Sequence, residues 1–460
     1  MWRYLVFKKF GIVSAETVLL CACVLSARSL QLLKSPFPAP DANHFYLKAI
    51  LIAVIFQICL HLRDLYDLQA ISTWREFAIR LCQALLMASA SLLVLQYFIP
   101  KIMVDRPILN SSLLLNVMLI AIGHTILRFY INARAPHTNM LVLGTGPLAR
   151  ELVREVLKHP EMGIKVLGFL GESPQLVGVS IVNPKVIGVY QDLEKLVLDK
   201  KVDRIVVELQ DRRGKLPIRE LLNFKTQGIA VEDATTFYER VAGKIPIENL
   251  KPSWMVFNSG FSVSQKLLFE KRVLSVLVSS IILLLFSPVL LIVMIAIKLD
   301  SKGHIFFRQE RVGQNGRSFT LWKFRSMYEN AESESGPVWS AGAADKRVTR
   351  IGKLMRRTRL DELPQLFNVL AGDMSIVGPR PERPHFVQQL AETIPFYQLR
   401  HVVKPGLTGW AQINYGYANS FEHTVEKLQY DLFYIKNMSW LLDSMILFET
   451  IKTVLVRKGS

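Results

Sequence analysis

Five long apolar runs decide what this 460-residue chain can fold into, because a run of roughly 20 such residues needs a bilayer or an unusually large core. Four of them open the chain, at residues 12–33, 45–62, 79–99 and 113–131, and the fifth lies far downstream at 273–297. Each of the first four can cross a hydrocarbon layer of about 30 Å. Glu16 and Arg28 interrupt the first run, and no small-residue cleavage site follows a clean apolar core, so the segment is expected to be retained. Arg3, Lys8 and Lys9 precede the first span and Arg63, Arg75 and Arg80 separate the second from the third, whereas Lys34, Lys101 and Arg106 mark the other loops. That bias puts both ends of a four-helix unit in the cytoplasm. A buried helical core in a soluble protein is the competing arrangement, and the lengths of the runs argue against it.

The fifth run holds 25 uncharged residues with Ser287-Pro288 inside, and its flanks are basic on both sides: Lys266, Lys271 and Arg272 before, Lys298 and Lys302 after. Proline removes a backbone donor and bends a helix. If both flanks stay on the cytoplasmic face, the segment enters and returns, which predicts a kinked re-entrant helix rather than a crossing.

Between these parts, residues 140–143 form a buried-strand run followed by Gly144-Thr145-Gly146-Pro147-Leu148-Ala149 and a helix over 147–158. This is the G-x-G-x-x-G/A turn of a Rossmann-like unit, and Gly144, Gly146 and Ala149 could seat a dinucleotide. The same glycines also serve simply to turn a strand tightly into a helix. Further strands are expected at 166–170, 205–208 and 229–232, with Glu172 at the ribose-binding acidic position. Residues 235–260 read as a connector containing Trp254. All four cysteines, Cys21, Cys23, Cys59 and Cys82, fall in the apolar N-terminal quarter, which leaves no disulfide or zinc framework for the polar parts. A net charge of +18 admits nucleic acid, anionic lipid or phosphorylated substrates as partners, and the apolar runs favour the last two.

Chemistry concentrates at residues 356–382. Leu363, Leu366, Phe367 and Leu370 recur at the spacing of a buried helical stripe, and Pro364 suits only a first turn, so Asp361 and Glu362 stand at a helix start. An aspartate held ionised among cations can attack phosphorus, and a neighbouring glutamate can hold a hard cation. The ordinary alternative is an N-cap. Seven cations and no acid precede the pair: Lys346, Arg347, Arg350, Lys353, Arg356, Arg357 and Arg359, which suits an anion or an anionic surface. Residues 305–327 look like two strands around Gly313 and Gly316, with Lys323 and Arg325 leaving one strand face. Two proline-stiffened loops, 378–382 and 403–414, bear Arg380 and Lys404.

Taken together, the Phe286-Ser287-Pro288 kink, the Lys-Phe-Arg-Ser-Met strand at 323–327, Leu-Asp-Glu-Leu-Pro-Gln at 360–365, Gly-Pro-Arg-Pro at 378–381, Pro-Gly-Leu-Thr-Gly-Trp-Ala-Gln at 405–412 and the closing Tyr430-Asp431 and Tyr434 closely resemble the bacterial polyprenyl-phosphate glycosyl-1-phosphate transferases, the monotopic phosphoglycosyl transferase superfamily. The N-terminal part resembles their long-form members, which initiate exopolysaccharide or O-antigen assembly. The resemblance implies transfer of a sugar 1-phosphate from a nucleotide diphosphate sugar, a UDP-hexose, to undecaprenyl phosphate. It makes Asp361 the nucleophile that forms a covalent phosphosugar intermediate, Glu362 with Asp361 the holders of Mg²⁺, and Lys323, Arg325, Arg356 and Arg380 the phosphate binders. It implies a multi-pass protein of the bacterial inner membrane, partnered by the lipid bilayer and not by nucleic acid, with its catalytic domain in the cytoplasm; a homodimer is compatible with it. Many relatives follow the tryptophan loop with Gly-Arg, whereas here Asn414 precedes Tyr415-Gly416-Tyr417, a difference that bears on the donor.

The expected fold is therefore a membrane protein with four transmembrane helices (1–135), a Rossmann-like α/β domain (136–245), a connector (246–265), a kinked re-entrant membrane helix (266–300) and an α+β catalytic domain (301–460) whose stretch 440–456 rests on the membrane surface. Two other classes compete. A membrane-attached NAD-dependent sugar-nucleotide dehydratase needs a Tyr-x-x-x-Lys dyad, a spacing found at Tyr4 and Lys8, remote from the glycine turn. A noncatalytic assembly scaffold would leave Asp361 and its cations without a role.

Overall fold

The computed structural model describes residues 2–34, 45–66, 73–100, 104–133, 138–208, 216–250, 255, 260–261, 264–328, 347–415 and 421–455. Lys101, Trp254, Lys346, Gly416 and Tyr417 lie outside these residues. The chain forms two compact units, Met1–Phe237 and Tyr238–Ser460.

The first unit opens with α1 (Trp2–Lys34), α2 (Phe45–Leu62), α3 (Trp74–Phe98) and α4 (Arg106–Ala133). α1 packs on α2 and α4, α2 on α3, and α3 on α4, closing a bundle. Small and branched residues such as Val24, Ala27, Ile52, Ala84 and Ala88 fill its interior, while Leu86, Leu93, Leu114 and Ile122 point outward. Each of these helices carries a stretch apolar and long enough to cross a membrane. The two charges that interrupt the first run are accommodated. Tyr66 donates to Glu16 Oε2, His124 Nε2 lies 2.9 Å from Glu16 Oε1, and the Arg28 guanidinium sits 4.5 Å over the Phe45 ring.

The α/β part follows, with β1 (Thr138–Leu143), α5 (Pro147–Lys158), β2 (Ile164–Gly171), β3 (Val186–Val189), α6 (Leu193–Lys200), β4 (Arg204–Val207), α7 (Ile218–Thr226), β5 (Ala230–Asp233) and α8 (Ala234–Ala242). The five strands are parallel in the order β3-β2-β1-β4-β5. Leu141, Leu143, Leu170, Ile205, Val207, Leu221 and Phe224 make the core of this sheet. β3 carries no signal of its own in the sequence; its four residues are Val, Ile, Gly and Val, too few for a periodicity to show.

The second unit is built on α9 (Gln265–Asp300), a helix of 36 residues. It runs unbroken through Pro288, so the expected turn at Ser287-Pro288 is not a loop between two helices. The reason is local. Pro288 cannot supply an N–H to the carbonyl of Leu284, and the Ser287 hydroxyl donates to that carbonyl instead at 2.8 Å. Both ends of α9 are packed within the same unit: Lys271, Ser275 and Ser279 are buried near one end, and Val293 and Ile297 join Phe324 and Met355 near the other. Its middle is bare, with Leu284 79% exposed.

After α9 come the antiparallel pair β6 (Phe306–Val312) and β7 (Ser318–Phe324), α10 (Arg350–Thr358), α11 (Gln365–Ala371), β8 (Ser375–Val377), α12 (Pro384–Thr393), β9 (Gly406–Thr408) parallel to β8, α13 (Trp410–Asn414), α14 (Phe421–Lys436) and α15 (Trp440–Leu455). α15 turns Leu442, Asp443 and Ile446 inward and leaves Trp440 and Ile451 exposed. The stripe expected on α11 is out of phase. Leu366 and Val369 are buried, but Phe367 is 48% exposed. The inward face is built instead on Gln365, Leu366, Asn368 and Val369, with Asn368 accepting from Trp322 N at 3.0 Å and donating to Thr320 O at 2.7 Å.

Candidate active site

The 3-10 turn Leu360–Glu362 presents the two acids side by side, and Arg359 before it adopts a left-handed conformation (φ 60°) that ends α10 and redirects the chain. Asp361 is only 8% exposed, yet among the described residues its Oδ1 accepts no hydrogen bond and no side chain caps α11. The N-cap alternative therefore does not describe it.

Glu362 is the opposite case. Its Oε1 lies 2.6 Å from Arg380 Nη2, 3.4 Å from Lys323 Nζ and 3.7 Å from Arg359 Nη1. Burial opposes ionisation of Glu362, but Arg380, Lys323 and Arg359 outweigh it and hold its carboxyl well below the usual carboxylate range. Asp361 is pushed upward, first by burial and then by the Glu362 charge, against the pull of Lys323, Arg356 and Arg359. Burial likewise lowers Lys323, with Glu362 opposing. The pair thus divides its labour: one carboxylate gathers cations, and the other keeps an oxygen free among them.

The loops that carry these cations are locked together. Gly378 N donates to Thr408 O at 2.9 Å and Gly406 N to Pro379 O at 2.9 Å. A Cβ on Gly406 would stand 2.1 Å from Gly378 N, and one on Gly409 would stand 2.2 Å from Gly378 O. Glycine is required there by close approach of two backbones. Below Arg380, the buried Arg400 donates to the Arg380 carbonyl at 3.0 Å, to Asp431 Oδ2 at 2.8 Å and to the Tyr397 hydroxyl at 2.7 Å. The carbonyl of Val377, one residue before Gly378, accepts from Lys271 and from the Tyr434 hydroxyl, and both of these side chains bind Asp443. Arg272 donates to the carbonyls of Val369 and Leu370 at the end of α11. The membrane helix thereby grips both the loop of Arg380 and the helix behind the acids.

The expected phosphate binders separate into two groups. Lys323 and Arg380 reach Glu362, and Arg356 acts electrostatically on Asp361 while its Nε donates to Ser326 Oγ at 2.9 Å. Arg325 is turned away to Ser301, 2.8 Å from its carbonyl and 2.9 Å from its hydroxyl, with Nε and Nη1 buried and unpartnered. Lys404 lies beside Arg272 near Gly372. Sequence reasoning missed Arg359 as a partner of Glu362, the Arg400–Asp431 pair and the Lys271–Tyr434–Asp443 cluster. Lys271, expected as a membrane-flanking cation, is buried and paired with Asp443. Only the position of Asp431 and Tyr434 inside a motif hinted at these pairs.

No group of three His, Cys, Asp or Glu stands ready for a metal among the described residues. If Mg²⁺ binds here, Asp361 and Glu362 are the carboxylates that would hold it beside substrate phosphates, since such ions are held by one or two carboxylates plus phosphate oxygens. The unpartnered Asp361 oxygen is the donor this would need.

Known proteins resemble this chain in sequence. The sequence pattern of the family described as bacterial sugar transferase matches residues 266–457. A UDP-glucose:undecaprenyl-phosphate glucose-1-phosphate transferase of Klebsiella pneumoniae is 31% identical over 431 residues, covering 91% of this chain and 90% of that protein. The Escherichia coli K12 protein of the same name is 35% identical over 338 residues, 70% of this chain and 69% of that one. A UDP-N-acetylgalactosamine-undecaprenyl-phosphate N-acetylgalactosaminephosphotransferase of Aeromonas hydrophila is 44% identical over 222 residues, 48% of this chain, and the match spans about half (51%) of that relative's length. The chain belongs to the bacterial sugar transferase family and is an enzyme of its glycosyl-1-phosphate transferase class.

Proposed function

We propose that the protein transfers a hexose 1-phosphate from a UDP-sugar to undecaprenyl phosphate at the cytoplasmic face of the bacterial inner membrane, as the first membrane step of exopolysaccharide or O-antigen synthesis. The observation that carries this is the buried Asp361 oxygen left without a partner beside a glutamate bound to three cations. A carboxylate oxygen of Asp361 attacks the sugar-side phosphorus, the bond to the bridging oxygen breaks, and uridine monophosphate leaves with that electron pair. An oxygen of undecaprenyl phosphate then attacks the same phosphorus, the aspartyl–phosphorus bond breaks, and the carboxylate is returned. Phosphoryl transfer asks a protein chiefly for alignment and charge neutralisation, which Lys323, Arg356, Arg359 and Arg380 supply. Asp361 and Glu362 would hold Mg²⁺ together with donor phosphate, and the ion would supply neutralisation of the charge developing on the departing monophosphate.

A monotopic anchor fits the same reading. α9 is packed near both ends on one globular unit, through Lys271, Ser275 and Ser279 and through Val293 and Ile297, and exposes an apolar side from Phe269 to Leu299. If it crossed the bilayer, part of that unit would have to follow it. With both ends on one face, the exposed apolar side of α9 would rest in one leaflet, where the lipid phosphate of the acceptor would lie at the level of the site.

The test is purified protein with magnesium, undecaprenyl phosphate and a panel including UDP-glucose and UDP-N-acetylgalactosamine. Release of uridine monophosphate that depends on one of these sugars supports the proposal, and no release with any of them contradicts it.

A further inference from the structure

The glycine turn of the α/β domain is filled from within the protein. Gly144 has φ +123°, and a Cβ there would stand 1.9 Å from the Glu208 carbonyl oxygen. A Cβ on Gly146 would stand 2.4 Å and 2.5 Å from the two carboxylate oxygens of Glu208. Both glycines are thus needed to admit Glu208. Its backbone N–H donates to Leu143 O at 2.7 Å, which fixes it beside the end of β1. Its Oε2 accepts the N–H of Gly146, the residue that opens α5, at 3.0 Å, and only 8% of the residue is exposed.

In a dinucleotide-binding turn, that N–H and the helix behind it face the pyrophosphate. Here they already face an anion. The neighbourhood is acidic as well. Glu172 follows β2 and Asp233 ends β5; Glu172 and Glu208 both act on Tyr190, and Asp233 acts on Glu208. Arg150 is the cation that acts on Glu208, and its Nε is engaged with the Thr145 carbonyl at 3.1 Å. A pyrophosphate would have to expel a hydrogen-bonded carboxylate and then sit among the acids.

We infer that Glu208 is a built-in anion standing where a dinucleotide phosphate would stand, so that this sheet takes no dinucleotide until that carboxylate is removed. Gly144, Gly146 and Ala149 then shape a closed turn, and no hydride chemistry belongs to this domain.

The experiment uses full-length protein in lipid nanodiscs. NADH is titrated into the unmodified protein, and thermal unfolding of this protein, Glu208→Ala and Glu208→Gln is followed with and without inorganic pyrophosphate at millimolar concentration. The unmodified protein is expected to show no saturable NADH binding. Glu208→Ala should unfold several degrees lower and recover part of that loss in pyrophosphate, beyond any shift that pyrophosphate causes in the unmodified protein through its catalytic site. Glu208→Gln keeps an acceptor for Gly146 but not the charge, so it guards against a misfolded alanine variant; it should stay folded and gain a smaller pyrophosphate response. Saturable NADH binding by the unmodified protein would overturn the inference, and so would a folded variant whose pyrophosphate response equals that of the unmodified protein.

Discussion

Asp361 and Glu208 are each 8% exposed, and burial raises the pKa of both, yet they stand in opposite circumstances. Glu208 is satisfied by the Gly146 N–H and closes the turn it occupies. Asp361 keeps Oδ1 without a partner while Lys323, Arg356 and Arg359 act on it. Depth and pKa do not distinguish a plug from a reactive group. What distinguishes them is whether the oxygen already has a donor. The Glu208 oxygen is already engaged by a donor, whereas the buried unsatisfied Asp361 oxygen bears a desolvation cost that a phosphorus centre could relieve.

The first way to break this comparison is to replace the carboxylate proposed as nucleophile. Asp361→Asn keeps the shape and is expected to lower transfer by on the order of 10³-fold or more, with normal folding and membrane insertion. Turnover near the unmodified rate would place the covalent role elsewhere. Next, Arg380→Ala should cost roughly 10²–10³-fold in kcat, the usual effect of deleting one donor aimed at developing charge, and steady-state kinetics with the working donor would measure it.

The buried Lys271–Asp443 pair, which supports the loop of Arg380 without reaching the acids, should act chiefly through stability. Lys271→Met leaves the buried Asp443 with the Tyr434 hydroxyl but without its cation, and should destabilise the second unit by roughly 3–5 kcal/mol, read from chemical denaturation. A change below about 1 kcal/mol, the value of a surface pair, would mean that the Lys271–Asp443 contact is not formed.

The pH profile sharpens the comparison further. Asp361 must be ionised to attack, and its carboxyl is raised, so activity should fall as pH drops through a value above the ordinary aspartate range. Glu362 stays charged throughout that fall because its cations hold it low. Glu362→Gln removes a neighbouring negative charge and should move the residual acid limb to lower pH. A limb that moved upward would reverse the electrostatic account. The smallest effect belongs to topology. Cysteines at Lys266, whose side chain is 87% exposed, and at exposed Lys302, in a background lacking the native four, should leave activity near normal. Both should be labelled from the cytoplasmic side alone. Labelling of one from each side would show a crossing helix.

The sequence made the apolar runs, the glycine turn and the acid pair legible, because each announces itself within a few consecutive residues. What it hid depends on the fold. Glu208 lies 62 positions from Gly146, and only the parallel pairing of β1 with β4 brings them together. Lys271 and Asp443 are 172 positions apart, and a lysine at the edge of an apolar run looks like a membrane anchor until its partner is seen. Phe367 is exposed because the inward face of α11 includes the hydrogen-bonded Asn368, and a buried asparagine does not show in an apolar period. Arg325 shares a strand face with Lys323 by alternation, yet it follows the last residue of β7, where its side chain meets Ser301.

The most direct test of the central claim omits the acceptor. Protein mixed with excess UDP-sugar and magnesium should release close to one equivalent of uridine monophosphate per active site in a rapid burst. Intact-protein mass spectrometry should then show one added sugar phosphate, mapped to the peptide containing Asp361 and discharged by undecaprenyl phosphate. Release that waits for the acceptor, with no adduct on that peptide, would contradict a covalent phosphosugar on Asp361.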